Sequence, residues 1–271
     1  MKVERYEKIM SRVNEHYKDA LEIYPANQIC LVALQGSQNY ELDIPGSDVD
    51  TKVLVVPSFK EVALNKAPVS TTHIRYNNEH FDAKDIRLYM ETFRKQNLNF
   101  LEILFTKYYI LNPEYAYEWN RLVQEREAIA HMNPHRAVKS MMGIAQQKYH
   151  AMEHPYPSKL DILAKYGYDP KQVHHLIRVR DYLERYIAGE SYEKCLIPSE
   201  AYHELIVDMK LGKFTLDEAR KLANEHMAWI DDAAKTYCDK VVAEEDPWCR
   251  GLLEDVSYNI MRISVKKELE I

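Results

Sequence analysis

The segment from residue 31 to 56, LVALQGSQNYELDIPGSDVDTKVLVV, constrains this chain more than any other. An apolar run closes on Gly36-Ser37, a polar turn-forming stretch follows, and Asp48-Val49-Asp50 leads into a second apolar run, Val53–Val56. Both runs are rich in β-branched and apolar residues, so strands are expected over 29–36 and 51–57. Side chains at i and i+2 of a strand point the same way, so Asp48 and Asp50 project two carboxylates from one face, beside a glycine turn. Like charges that close repel and raise each other's pKa unless a cation sits between them. Magnesium suits such a pair, because it takes hard oxygen ligands, one or two carboxylates plus substrate phosphates. Asp-x-Asp alone is common in solvated turns. The ordered set of strand, Gly-Ser, ten residues, Asp-x-Asp and strand is much more specific.

Two-metal phosphoryl-transfer sites use more than two ligands. A third short strand is expected over 79–84, and Asp82 on it is the choice for a third carboxylate. Asp85 is explained as the N-cap of a helix running DIRLYMETFRKQ, and Glu79 is a weaker option. The N-terminus reads as an amphipathic helix with Tyr6, Ile9, Met10, Val13 and Tyr17 on one stripe. NFLEILF, 99–105, reads as a short apolar helix, and nearly everything after residue 114 as helix. The expected class is α+β: a small mixed sheet flanked by helices over 1–112, then a mostly helical domain over 113–271. Only 7 glycines in 271 residues suit so helical a chain.

The second informative segment is GYDPKQVHHLIRVRDYLERYIAGE, 167–190. A helix starting near Pro170 puts Lys171, His175 and Arg178 at i, i+4 and i+7, on one face. Val173, Ile177, Tyr182 and Leu183 serve its packing. Such a row of cations is a rail for phosphate, with Arg giving bidentate contacts and Lys a point charge. A solvated basic face is the commoner fate of this spacing. Lys139, Lys148 and His150 lie in a helix that could also face a substrate.

A net charge of −6 excludes a global basic field for nucleic acid, so an RNA partner would need a local basic patch. No apolar stretch of about 18 residues is present, so no membrane span is expected. The N-terminus lacks a signal-peptide core, and the four cysteines are far apart, which fits a reduced, cytoplasmic setting without a zinc site or disulfide framework. No Ser-His-Asp or Cys-His nucleophile arrangement stands out.

Gly36-Ser37, Tyr40, Leu42 and Ser47-Asp48-Val49-Asp50 resemble the signature of the DNA polymerase beta-like nucleotidyltransferase superfamily. The resemblance implies a nucleotidyltransferase-type sheet whose Gly36 and Ser37, with Ser47, meet the nucleotide phosphates. It implies two Mg2+ or Mn2+ ions on Asp48, Asp50 and Asp82. Many members have glycine right after the tyrosine; this chain has Glu41. Lys171-x-x-x-His175-Leu176-Ile177-Arg178, NLNFLEILF (97–105) and MKLGKFTLDEARKLA (209–223) resemble, in the same order, a bacterial and phage branch associated with RNA repair. Lys210 falls where that branch often has a basic residue. The resemblance spans roughly 28–235. It implies a magnesium-dependent transfer of a nucleoside monophosphate from a nucleoside triphosphate such as ATP onto a hydroxyl, an RNA end first. The helical domain would then complete the nucleotide and acceptor cleft. A protein AMP-transferase, or a non-catalytic module sensing nucleotide or RNA, are the alternatives.

Overall fold

The computed structural model describes residues 2–269. The expected α+β class holds: a mixed five-stranded sheet is flanked by helices and followed by a helical part. The strands are β1 (Ile29–Gln35), β2 (Asp50–Val55), β3 (Ser70–Ile74), β4 (His80–Asp85) and β5 (Tyr109–Leu111), in the order β3-β4-β2-β1-β5. Only the β2–β4 pair is parallel. β1, β2 and β4 follow the expected strands closely, whereas β3 and β5 do not appear in the sequence pattern. β3 is a polar edge strand, STTHI, with no apolar alternation, and β5 is three residues long.

The chain divides into two compact units. One comprises the residues up to Asn39, Asp43–Met132 and those from Glu245 on; the other comprises Tyr40–Leu42 and Asn133–Glu244. In the sheet unit, helix α1 (Lys2–Leu21) lays Ile9 and Val13 against Val32 and Leu34 of β1, Val53 and Val55 of β2, and Phe81 and Ala83 of β4. The expected stripe is largely the buried one, with Met10 and Tyr17 packed beside it and Tyr6 stacked on Tyr108 at 5.4 Å. α2 (Phe59–Ala63) opens on a Ser58–Glu61 capping box. Asp85 caps α3 (Ile86–Arg94) as expected, accepting from the Arg87 N–H at 2.9 Å. NFLEILF forms the short α4 (Leu98–Leu101) followed by a 3-10 turn, Glu102–Leu104.

Helices α5 (Ala116–Gln124) and α6 (Arg126–Ala130) also belong to the sheet unit, as does α13 (Pro247–Glu268). Glu245 forms a two-pronged ion pair with Arg94, and Asp246 caps α13 by accepting from the Trp248 and Cys249 N–H groups.

The helical unit contains α7 (Pro134–Ala151), α8 (Leu160–Tyr166), α9 (Pro170–Ile187), α10 (Tyr192–Leu196), α11 (Glu200–Lys210) and α12 (Leu216–Cys238). α9 begins where Pro170 predicts, with Asp169 as N-cap. It is the central helix, packed on α7, α10, α11 and α12. Val173, Ile177, Tyr182 and Leu183 are all fully buried. Among the described residues no helix is long and apolar enough to cross a membrane.

Candidate nucleotide and metal site

The sheet register brings the Gly36-Ser37 turn beside Asp50. Gln35 pairs with Asp50 across β1 and β2, so the Gly36-Ser37 turn follows directly beside the start of β2. Gly36 has φ +105°, a conformation that glycine tolerates and other residues rarely adopt. Its N–H donates to the buried Glu102 carboxylate at 3.0 Å, so this N–H is already engaged within the fold. Ser37 opens a 3-10 turn, Ser37–Tyr40. Ser47 Oγ accepts from the Ile44 N–H at 2.9 Å and so shapes the loop ahead of Asp48.

Strand alternation sets the two faces of β2. Val49, Thr51, Val53 and Val55 are buried, and Val49, Val53 and Val55 belong to the core cluster under α1. Asp50 and Lys52 therefore occupy the other face of β2. Asp48 is exposed, two residues before Asp50, and its carboxylate has no bonded partner among the described residues. One oxygen of Asp50 accepts from the His80 N–H at 2.8 Å, and 37% of the Asp50 side chain stays accessible.

Asp82 lies on β4 as expected, but register sets it opposite Lys52. Its carboxylate meets the Lys52 ammonium at 2.5 Å and accepts from the Thr72 hydroxyl at 2.6 Å. Burial pushes the Asp82 pKa up, yet the Lys52 charge and these hydrogen bonds outweigh it and hold it below its ordinary value. Among the described residues no three His, Cys, Asp or Glu side chains are grouped to hold a metal ion. The donor chemistry of Asp48 and Asp50 fits magnesium or manganese, which need only one or two carboxylates alongside phosphate and water. Asp82 is committed to Lys52 in this arrangement.

Glu79, ranked behind Asp82 in the sequence, has a different task. It is buried and accepts from Arg12 at 2.5 Å, His16 Nε2 at 3.1 Å, Arg75 at 3.2 Å, Asn77 at 2.9 Å and the Val49 N–H at 3.0 Å. Burial keeps His16 neutral below its ordinary value, so Nε2–H donates to Glu79 while Nδ1 accepts from the Thr51 hydroxyl. Through Val49, Glu79 pins the backbone between the two aspartates.

In the helical unit, Lys171, His175 and Arg178 share a face of α9 at different depths: Lys171 exposed, His175 half-buried, Arg178 only 4% exposed. The Arg178 guanidinium lies 3.5 Å from the centroid of the Tyr40 ring, a cation–π contact. His174, passed over in the sequence, is buried and its ring centroid lies 4.1 Å from that of His175. Burial, then the charges of Lys210, Arg178 and Lys171, bring His174 down to about 3. Burial likewise holds His175 well below its ordinary value, with Lys148, Arg178 and Lys171 adding to the effect. His175 is therefore a neutral imidazole amid lysine and arginine, and the third cation of the cluster is Lys148 or Lys210. Lys148 is itself depressed by burial and by Lys171.

Lys210 Nζ donates to the Leu42 carbonyl at 2.7 Å, which ties the Tyr40–Leu42 segment to α11. Glu41, at its middle, has φ +60°, the left-handed region that costs a non-glycine residue about 1 kcal/mol or more. Glu41→Gly is therefore expected to raise the unfolding free energy by up to about 1 kcal/mol, the entropy of the freer unfolded glycine taking back part of the gain. Urea denaturation checks this; a less stable variant would contradict it.

Compared with models of known protein families and with curated proteins, the chain matches none.

Proposed function

We propose that the chain is a magnesium- or manganese-dependent nucleotidyltransferase of the DNA polymerase beta-like kind. It would move a nucleoside monophosphate from a nucleoside triphosphate onto a hydroxyl, with an RNA end as the favoured acceptor. The observation that carries this proposal is the pairing of Gln35 with Asp50, which sets a positive-φ Gly-Ser turn beside two accessible carboxylates. Asp48 and Asp50 would hold the divalent ion or ions, which when bound supply positive charge to phosphate oxygens and lower the pKa of an attacking hydroxyl. Ser37, next to Gly36, would donate its hydroxyl to a phosphate oxygen. Glu79 orients the aspartates by holding the Val49 N–H. In the helical unit, Lys171 and Arg178 would bind phosphate oxygens, with the neutral His175 donating one N–H without adding charge. Positioning and electrostatics of this kind carry phosphoryl transfer without a protein nucleophile.

One observation favours a second reading, a non-catalytic module of the same fold that senses nucleotide or RNA. Lys52 already neutralises the carboxylate expected to be the third acid. Incubation with each of the four triphosphates labelled at the α-phosphate, magnesium, total RNA and total protein separates the readings. Label in the RNA fraction is the expected result. Label in protein would redirect the acceptor to a protein hydroxyl, and binding of triphosphate with no label in either fraction would overturn the transferase in favour of the sensor.

A further inference from the structure

Strands β3, β4 and β2 build a second polar cluster on the sheet face that carries Asp50. Register aligns Ser70 with Lys84, Thr72 with Asp82, and Asp82 with Lys52, so all five side chains fall on one face. With Phe100 from α4 they line a single cavity. The Lys52 and Lys84 ammonium groups lie 4.4 Å and 4.3 Å from the centroid of the same Phe100 ring. That ring is itself held by the fully buried Tyr89, whose centroid is 5.6 Å away in an edge-on arrangement.

Two ammonium groups on one ring repel each other, and the cavity contains one carboxylate to balance them. Asp82 pairs with Lys52; Lys84 has no ion pair among the described residues. The cluster therefore keeps an uncompensated positive charge in a half-buried concave site, where the lowered dielectric strengthens any anion contact. Thr72 is engaged by Asp82, which leaves the exposed Ser70 hydroxyl as a donor beside Lys84.

We propose that this cavity binds a phosphoryl oxyanion, held by Lys84 and Lys52 with a hydrogen bond from Ser70. Lysine meets phosphate as a compact point charge with three donors, and the Phe100 face fixes where both charges stand. The oxyanion competes with Asp82 for Lys52, so removing the Asp82 charge should tighten binding. A purely structural Lys52–Asp82 ion pair predicts no such gain.

The test is amine acetylation of the full chain in EDTA, read at Lys84 by mass spectrometry, with inorganic pyrophosphate and ATP as probes and sodium chloride at matched ionic strength as control. Lys84 is the reporter because Lys52 is too buried to label well. Pyrophosphate is expected to slow Lys84 acetylation at least about fivefold while chloride does not. Asp82→Asn, checked for folding by circular dichroism, is expected to reach the same protection at a lower pyrophosphate concentration. Protection by ATP but not by pyrophosphate would support the site and identify a nucleotide tail as the source. Unchanged Lys84 acetylation with both probes in the folded wild type would overturn the proposal. Neither a divalent ion nor turnover enters this readout, so its failure is distinguishable from failure of the transferase.

Discussion

An Asp48→Asn/Asp50→Asn double variant is expected to lose nucleoside monophosphate transfer by at least about a thousandfold, because several kcal/mol of charge stabilisation disappear with the carboxylates. Stability should barely change. Asp48 is exposed and Asp50 is 37% accessible, so neither charge is a buried one. The asparagine oxygen at position 50 can still accept from the His80 N–H that Asp50 now engages. Single-turnover transfer beside a urea titration checks both halves. A variant that keeps its fold and transfers within about tenfold of wild type, a difference of only about 1.4 kcal/mol, would remove these residues from the chemistry.

Glu79→Ala is expected to cost about 3–5 kcal/mol of unfolding free energy, the range for breaking a buried charge network by removing one partner. Arg75 and His16 are buried and would lose their shared acceptor, and the Val49 N–H would be orphaned. Urea denaturation measures this; a loss under about 1 kcal/mol would show that the network is replaceable. The same residues set an acid response. Burial lowers His16 below its ordinary 6.5, so the unfolded chain binds the extra proton first as pH falls through that value. Burial pushes Glu79 up, but His16, the Val49 N–H, Asn77 and Arg12 together bring it below its ordinary 4.5. Both groups thus stabilise the fold at neutral pH. That stability should begin to fall near pH 6.5 and fall further below pH 4.5, until Glu79 is protonated in the folded state.

Apolar runs made β1 and β2 legible, and the alternation of HFDAKD made β4 so, because strand residues buried on one or both faces leave a strong local signal. Asp85 was legible as a helix cap for the same local reason: a carboxylate just ahead of a helical run meets its orphan N–H groups. β3 and β5 were not, since edge strands are held by neighbours rather than by their own pattern. Asp82 could be placed on its strand, but its partner could not. The β2–β4 register that sets Lys52 opposite it depends on a crossover through α2 and β3. Lys52 was nonetheless within reach of the i, i+2 rule that paired Asp48 with Asp50. Glu79 and Glu102 act through contacts distant in sequence, with Arg12, His16 and the Val49 N–H for the first and the Gly36 N–H for the second, and no spacing marks such residues. Glu41 is the reverse case: the glycine usual in the resembled superfamily at that place corresponds to a left-handed backbone here.

Manganese binding tests the aspartate pair most directly, because it needs neither an acceptor nor turnover. Titration of Mn2+ into the wild type with a non-hydrolysable nucleoside triphosphate, followed by electron paramagnetic resonance, should show the ion taken up more tightly than by triphosphate alone, and the Asp48→Asn/Asp50→Asn chain should lose that increment. Equal Mn2+ uptake by the two folded proteins would contradict a divalent-cation site at the head of β2.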